Sequence, residues 1–453
     1  MEKLGYTVNE TALEIIKGCD DWYANRKIED FHERKTIQGE RYELARLGFA
    51  KRCCSDDANL CEVIEINAGK NVKQFEEINN ILKANRFDTQ YRKQLEKTSA
   101  DGTVACYIRL ENAQIMSDNT IQNGKIRLNY VEAESFIPLT VVNDEVIEAA
   151  FSSSTLKKSK KETVLVIFTI DENGLYKVST HIFDHMGKEI SEKGHTLQLG
   201  DVKPFAVMRT AEVNNIDDME GYGVPKILNA IPFLKGLDLA YNVLFSDLDK
   251  AEKILLINEL LCEFDKNGKP KLTPEQKKLF VLLGEKLPEE KDVIQEYNPT
   301  IRINEIVETI KLCLSLLSMM FGYGTKKYNF ESGQITTATE YIGERQDQAQ
   351  ELNRQRKEAT DYITGIVKAI MWFSNTFNKA QYNLEEEIII NFDDSYITDK
   401  EAELERKRND ALSFDIPKLK VWYLMEAYGL TEDEAVAIIA ESEQEPEPED
   451  ENE

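Results

Sequence analysis

One stretch of this sequence restricts the possible folds more than any other, because it is apolar around most of a helix. Apolar side chains recur there at steps of three and four residues and form a heptad-like seam: Ile303, Ile306, Ile310, Cys313, Leu317 and Met320. The last turns are also apolar on their other sides, at Leu312, Leu314, Leu316 and Met319. A single neighbouring helix cannot cover all of these side chains, so we expect several neighbours, some from other copies of the chain.

The apolar stretch is too short to cross a membrane. Ile310–Phe321 has about twelve residues, whereas a bilayer span needs roughly twenty. We therefore expect a buried helix and no membrane contact. No N-terminal targeting signal is recognisable, because Met1–Gly5 leads into polar sequence.

A second long helix is predicted upstream, at 225–253. Its apolar stripe contains Ile227, Ile231, Leu234, Leu237, Tyr241, Leu244 and Leu248. A small α/β insert separates the two helices, with strands at Ile254–Phe264 and Val293–Tyr297 and a helix starting near Thr273. A polar loop bounded by glycines follows Phe321, and a capping box of Thr337 and Glu340 starts a very long helix that runs to Phe377.

In the first half of the chain, the spacing of apolar residues changes from that of helices to that of strands. Helices are predicted at 10–26, 41–61 and, as a pair, 74–95. Strands follow from Thr103, and Asp171–Gly174 is a hairpin turn between two of them. Short turns between successive strands favour antiparallel pairing, so the predicted class is α+β and mainly helical.

The C-terminal part is predicted to hold one strand and two or three short helices. The strand is Glu387–Phe392; Gly429 suits the residue that ends a helix, and Thr431 with Glu434 forms a capping box. The last thirteen residues, 441–453, contain eight acids and no base, so this tail is predicted to be disordered.

Charge excludes one class of function. The 453 residues carry a formal net charge of −26, and the pI is near 4.8. A protein that coats DNA non-specifically needs a broad basic surface, which this composition does not provide. Contact with DNA at a few basic points inside an acidic body remains compatible with it.

Signatures of catalysis and metal binding are missing from the sequence. Gly221-x-Gly223 lacks the third glycine of a dinucleotide fingerprint, and neither a phosphate loop nor a nucleophile elbow is present. Asp393-Asp394 is more typical of a solvated strand end than of a magnesium site. We expect a protein that is not an enzyme and has no cofactor.

Cysteine and histidine spacings do not favour a metal site either. The seven cysteines are odd in number and lie mostly in apolar patterns, which favours reduced thiols. Cys53, Cys54 and Cys61 lack the Cys-x2-Cys spacing of zinc sites, and His181 with His185 has no evident third ligand.

The order of these elements, with four short motifs, resembles a tailed-bacteriophage portal protein of the type found in siphophages of Gram-positive hosts. The motifs stand here as Arg46–Arg52 running to Cys61–Ile66, Gly223-Val224-Pro225 with Leu237–Asn242, Thr336–Glu340, and Phe392–Ser395 followed by Asp399–Glu403. The resemblance covers most of the chain. Each motif is weak alone, and their order and spacing together carry the resemblance.

The resemblance implies a ring, usually of twelve subunits, at one capsid vertex of the virion, assembled in the host cytoplasm. DNA would be packaged and ejected through its channel. Terminase and head-completion or connector proteins would dock on it, and major capsid and scaffolding proteins would surround it. The implied parts are a wing (1–224), stem helices (225–253 and 301–321), a clip (254–300), a tunnel loop (322–337), a long helix with a returning wing strand (338–397), a short helical crown (398–440) and the tail (441–453).

Three groups of candidate functional residues follow from this assignment. Lys326, Lys327, Tyr328 and Asn329 would lie near DNA, although a solvated loop is the plainer interpretation. Clip lysines would dock an acidic partner, or form an ordinary solvated helix face: Lys266, Lys269, Lys271, Lys277 and Lys278. The subunit interface would use Ile310, Cys313, Leu316, Leu317 and Met320.

Two other functions stay open on the sequence alone. An intracellular helical scaffold or adaptor would oligomerise through 301–377 and never meet DNA. A nucleotide-dependent enzyme is a weaker possibility.

Overall fold

The computed structural model describes most of the chain. The residues it does not describe are 2–3, 37, 69–71, 113, 116–120, 123, 158–159, 191–194, 252–253, 259–279, 284–293, 298–299, 329–337, 394–406, 412, 414–415 and 443–453. The predicted clip lysines, Asn329, Thr337, the acidic tail after Ser442 and the helix start near Thr273 all lie outside the described residues.

The helices alternate with β-structure along the chain. They are α1 (Glu10–Tyr23), α2 (Glu29–His32), α3 (Phe49–Ala58), α4 (Val72–Ala84), α5 (Phe87–Asp101), α6 (Lys226–Lys250), α7 (Ile303–Met320), α8 (Ala338–Asn378), α9 (Pro417–Tyr428) and α10 (Glu432–Ser442). None of the described helices is long and apolar enough to span a membrane.

The strands concentrate between α5 and α6. They are β1 (Glu33–Lys35), β2 (Arg41–Glu43), β3 (Val63–Ala68), β4 (Thr103–Glu111), β5 (Gln114–Ile115), β6 (Ile121–Gln122), β7 (Lys125–Glu132), β8 (Phe136–Val142), β9 (Glu145–Lys157), β10 (Lys160–Ile170), β11 (Tyr176–Phe183), β12 (His195–Gln198), β13 (Phe205–Arg209), β14 (Ile254–Asn258), β15 (Phe280–Leu283), β16 (Ile294–Tyr297) and β17 (Ile388–Phe392). The structure is mixed α/β, consistent with the predicted α+β class.

Two sheets form the larger β-structure. A five-stranded sheet has the order β12-β11-β10-β9-β8, and a three-stranded sheet has the order β13-β4-β7. Neighbouring strands in both sheets pair antiparallel. The predicted turn at Asp171–Gly174 is confirmed, because it joins β10 to β11 and the Asp171 N–H donates to the Leu175 carbonyl at 2.9 Å.

Aromatic side chains fill the space between these two sheets. The rings of Tyr107 on β4 and Phe151 on β9 stack with centroids 4.8 Å apart. Phe205 on β13 meets Phe151 edge-on at 5.5 Å and lies 5.7 Å from Phe168 on β10. All four side chains are buried. Such pairs stabilise a core beyond the area they bury, so the two sheets form one packed unit.

The predicted helix at 41–61 is wrong at its start. Residues 41–43 form strand β2, which pairs with β1, and α3 begins only at Phe49. The apolar residues Leu44 and Leu47 agree with a helical period, but the Leu47 N–H is held by a side chain of α6. A tertiary contact overrides the local pattern here. Several further strands were not predicted from the sequence: β1, β3, β5, β6, β8, β12 and β13.

The small insert between α6 and α7 also contains an additional strand. Predicted strands at its two ends are present as β14 and β16, which pair antiparallel. β15 adds to the other edge of β14 in parallel. The remainder of the predicted Ile254–Phe264 strand, after Asn258, lies outside the described residues.

The chain divides into two compact units. One comprises Met1–Glu62 and Ile66–Ile390; the other comprises Val63–Glu65 and Asn391–Glu453. Within the second unit, Gly429 adopts the left-handed conformation at the end of α9, as predicted. The capping box before α10 is also confirmed, because the Thr431 N–H donates to Glu434 Oε2 at 2.9 Å and the Glu434 N–H donates back to Thr431 Oγ1 at 3.4 Å.

Two backbone segments cross in close contact where α5 ends and α6 begins. Gly102 has φ +80°, and a Cβ on it would lie 2.1 Å from the Gly223 carbonyl oxygen. The Thr210 N–H donates to the Gly102 carbonyl at 3.0 Å, and the Thr210 hydroxyl donates to the Val224 carbonyl at 2.7 Å. This crossing fixes the point from which α6 leaves the sheets.

Three carboxylates share one lysine beside this crossing. Lys97 Nζ lies 2.7 Å from Asp20 Oδ1, 3.4 Å from Asp101 Oδ2 and 3.5 Å from Glu132 Oε2. Asp101 is buried, and its Oδ1 atom has no hydrogen-bond partner among the described residues. Burial, together with the Asp20 and Glu132 carboxylates, outweighs Lys97 and raises the pKa of Asp101 to about 7.

We expect Asp101→Asn to change the pH dependence of stability. The folded protein keeps a proton on Asp101 that the unfolded chain releases near pH 4, so wild-type stability falls as pH rises from about 4 to about 7. In the variant, the free energy of unfolding should no longer fall over this range. Between pH 5 and pH 8 it should rise relative to wild type by on the order of 3 kcal/mol. Urea unfolding at both pH values measures it, with exposed Asp201→Asn as control. Identical pH profiles for the variant and wild type would contradict the raised pKa.

Candidate functional site

The antiparallel pair of helices α6 and α7 packs along the seam predicted for α7. A Cβ on Gly236 would lie 2.9 Å from Cys313 Sγ, so the two backbones approach closely at this level. Arg302 and Asp247 form a salt bridge at 3.0 Å at the other end of the pair. Leu314 and Leu317 are buried within the chain.

This packing corrects part of the predicted subunit interface. Leu317 is fully buried within a single chain, so it cannot contact a neighbouring subunit. Cys313 faces Gly236 of the same chain. Ile310, Leu316 and Met320 are half-buried. The heptad-like seam therefore serves the contact between α6 and α7, because the nearest partner of a helix hairpin is its own second arm.

The apolar side chains left uncovered lie on the outer sides of the pair. On α7, Leu312 is 60% exposed and Met319 is 47% exposed. They are seven residues apart and share a face, and Leu312 lies about 140° around the helix from buried Leu317. On α6, Phe245 is 52% exposed and lies nine residues from Gly236, on the opposite side of the helix from α7.

Further exposed apolar side chains belong to the same two helices. They are Leu239, Val243, Leu248 and Ile303. Isolated apolar residues are normal on protein surfaces, but several along two packed helices are typical of a contact surface. We name Leu312 and Met319 the α7 patch, and Phe245 and Leu248 the α6 patch.

Two side chains of α6 bind the main chain of residues 45–47, a segment that is neither helix nor strand. Asp238 Oδ1 accepts from the Leu47 N–H at 2.9 Å. Asn242 accepts from the Ala45 N–H at 2.9 Å and donates to the Ala45 carbonyl at 2.8 Å. On its other side Asp238 lies 3.2 Å from the buried ring of His32. Asp238 and Asn242 belong to the Leu237–Asn242 motif, so its polar residues have a defined structural role.

After α7, the chain turns onto α3. The ring of Tyr328 meets Phe49 edge-on with centroids 5.2 Å apart, and it lies 6.4 Å from the ring of Tyr323. Lys327 Nζ lies 5.4 Å from the Tyr323 ring centroid, in cation–π geometry. We name residues 322–328 the post-stem segment.

The predicted DNA-proximal residues differ in their surroundings. Lys326 and Lys327 are exposed, whereas Tyr328 is half-buried against α3. Burial, together with neighbouring Cys53 and Asp56, raises the pKa of Tyr328, so its phenol stays neutral. Tyr328 thus has a structural contact that the sequence did not predict. Contact of these residues with DNA stays a prediction.

A buried ion cluster lies where the post-stem segment, α3, α6 and α8 meet. Lys226 Nζ lies 2.8 Å from Asp57 Oδ1 and 2.7 Å from Glu351 Oε1. All three side chains are buried. The Tyr323 hydroxyl donates to Asp57 Oδ1 at 3.2 Å, and Arg354 pairs with the second oxygen of Glu351.

Electrostatics favours the charged forms in this cluster. Burial alone would lower the pKa of Lys226, but Asp57 and Glu351 outweigh burial and raise it. Burial alone would raise the pKa of Glu351, but Lys226 and Arg354 hold it below its ordinary value. Sequence reasoning missed this cluster because its members are 169 and 125 residues apart along the chain.

The cysteines described below are buried, and His181 contacts a carboxylate. Burial raises the pKa of the Cys53 thiol to about 12, so this side chain is not a reactive thiolate near neutral pH. Cys19, Cys54, Cys61 and Cys106 are also buried and reduced. His181 Nδ1 lies 2.6 Å from Glu189. Within the described ranges, no group of three or more His, Cys, Asp or Glu side chains is arranged to hold a metal ion.

Comparison with known proteins gives similarity to solved structures, two of which are described below. No protein-family model matches the chain, and no curated protein sequence matches it. A chain from the neck of a native GTA particle computed with C12 symmetry is 9% identical with a TM-score of 0.39, over 86% of this chain and 89% of that one. A chain from the neck of an empty GTA particle computed with C6 symmetry is 10% identical with a TM-score of 0.42, over 79% and 83%.

Proposed function

We propose that this chain is a phage portal protein. Copies of it form a closed ring, of twelve subunits as is usual for the family that the sequence resembles, at one vertex of the capsid. The ring is the channel through which DNA enters during packaging and leaves during ejection. It acts as a conduit and not as an enzyme, and it is assembled into the virion in the host cytoplasm.

The observation that supports this proposal most is the pair of apolar patches on opposite sides of the α6–α7 hairpin. The α7 patch faces away from α6, and Phe245 of the α6 patch faces away from α7. Two different patches on opposite sides of one molecule suit a heterologous contact, in which the patch of one copy meets the other patch of the next. Such contacts generate closed rings when the rotation between copies closes.

The charge distribution fits a channel along which DNA slides. A net charge of −26 repels phosphate and keeps binding weak. Exposed Lys326 and Lys327, repeated around the ring, would supply a limited attraction that depends on salt. The proposed partners besides DNA are terminase and the head-completion or connector proteins at residues 254–300, with major capsid and scaffolding proteins around the ring.

Native mass spectrometry and negative-stain images of the purified chain test the proposal. We expect a closed ring with a central hole wide enough for duplex DNA. A monomer at every concentration, also in the presence of capsid proteins, would overturn it. Dimers or filaments without a hole would favour the oligomeric scaffold or adaptor that does not bind DNA. ATP turnover by the purified chain would instead favour an enzyme.

The double variant Lys326→Glu, Lys327→Glu tests the DNA contact. Reversing two exposed charges per subunit should leave the ring intact and lower the DNA retained per particle at least several-fold, because it replaces attraction to phosphate by repulsion. Packaged DNA per particle, measured after nuclease treatment, is the readout. The double variant Lys177→Glu, Lys188→Glu, at two other exposed lysines, is the control with the same change in charge. Unchanged packaging would remove the assignment of these lysines without affecting the ring.

A further inference from the structure

The Lys226 cluster joins the first stem helix to both segments that flank residues 324–350. Lys226 is the first residue of α6, and Asp57 lies on α3. Tyr323 precedes Lys326 by three residues and donates to Asp57. Glu351 lies on α8, after the flanked residues, and binds the same lysine at 2.7 Å.

Close packing reinforces this arrangement at Gly322. Its φ is +76°, and a Cβ there would lie 2.8 Å from Glu351 Cγ. The turn that ends α7 therefore rests directly against the side chain of α8 that binds Lys226. A shift of Glu351 would displace this turn, because no free space separates them.

Net stability alone is a poor explanation for a cluster of this kind. Removing a lysine and two carboxylates from water carries a large desolvation penalty, and apolar residues of similar volume often stabilise a fold equally well. The charged groups instead restrict where their helices can lie, because Lys226 must be within hydrogen-bond distance of two carboxylates at once. A requirement of this kind fixes the relative positions of the helices that carry them.

We infer that Lys226 is a positioning residue, which couples the start of α6 to the post-stem segment and to α8 through Asp57 and Glu351. A change in the direction of α6 thereby moves the segment that carries Lys326 and Lys327. The functional meaning of this coupling rests on the proposed function, in which that segment faces DNA. The coupling itself is a property of the single chain.

The triple variant Lys226→Met, Asp57→Asn, Glu351→Gln tests the inference. It removes the charges together and retains polar groups for the remaining partners, so it avoids a buried unpaired ion. Trypsin cleavage after exposed Lys326 and Lys327 reports on the post-stem segment, and hydrogen exchange over residues 322–328 reports on the same region independently. Arg302→Gln, which breaks the exposed ion pair with Asp247, is the control.

We expect both readouts in the triple variant to accelerate about tenfold, with an unfolding temperature within a few degrees of wild type, whereas Arg302→Gln changes neither readout. A folded triple variant with cleavage and exchange within twofold of wild type would overturn the inference. In that case the aromatic contacts of Tyr323 and Tyr328 alone would position the segment.

A second variant decides the matter if the triple variant does not fold. Tyr323→Phe keeps the ring and removes only the hydroxyl that donates to Asp57. We expect cleavage after Lys326 and Lys327 to increase about threefold, and no increase would overturn the inference. Both experiments use the purified chain without DNA or other particle proteins, so a failed ring or DNA prediction leaves their result unaffected.

Discussion

Leu312→Asp is expected to leave the folded subunit intact and to abolish the closed ring. Leu312 is 60% exposed in the single chain, so a charge there costs the isolated subunit little. In the proposed ring the same side chain is buried against the α6 patch of the next copy. An unpaired carboxylate in that contact costs several kcal/mol, and symmetry repeats the cost at every interface.

Native mass spectrometry, with circular dichroism to verify folding, measures this effect. Met186→Asp is a suitable control, because Met186 is 78% exposed on a turn after β11 and belongs to neither helix of the hairpin. We expect the control to form rings and Leu312→Asp to remain monomeric at concentrations at which wild type is fully assembled. Normal rings from Leu312→Asp would show that the α7 patch does not contact another copy.

Gly102→Ala is expected to lower the free energy of unfolding strongly. The new Cβ would lie 2.1 Å from the Gly223 carbonyl oxygen, a backbone atom that cannot rotate away. The hydrogen bond from the Thr210 N–H to the Gly102 carbonyl prevents the first segment from moving aside. We expect a loss of about 3–5 kcal/mol of unfolding free energy, or no folded protein.

Gly174→Ala separates the steric clash from the cost of the backbone conformation. Gly174 has φ +79°, nearly the same as Gly102, but a Cβ there meets no atom within 4 Å. Its substitution should cost about 1 kcal/mol, the ordinary penalty for a side chain in the left-handed region. Urea unfolding of both variants measures the difference. Equal losses would show that the crossing at Gly223 tolerates a side chain.

The parts of the fold that sequence could predict are those that local pattern determines. Asp171–Gly174 forms its hairpin and Thr431 caps its helix because the groups that stabilise each turn lie within a few residues. The long stripes of α6 and α7 were predicted for the same reason, since helical period is a local property.

The errors arise where contacts between distant residues decide the structure. Leu44 and Leu47 follow a helical period, yet this segment is not helical, because Asn242 and Asp238 bind its main chain from nearly 200 residues away. The prediction that Leu317 lies at a subunit interface is wrong for a related reason. A repeat of apolar residues shows that one face of a helix is covered, but it does not show whether the same chain or another copy covers it. The Lys226 cluster has no signature in sequence, because its residues come from three separate helices.

The contact of α6 with residues 45–47 has a consequence for how this chain should diverge over evolution. Asp238 and Asn242 bind main-chain N–H and carbonyl groups, which every residue type except proline offers. Substitutions at Ala45 and Leu47 can therefore accumulate without loss of the hydrogen bonds, whereas either polar side chain is hard to replace. Homologues too distant for alignment near residue 45 should still carry an acid and an amide four residues apart in the middle of α6.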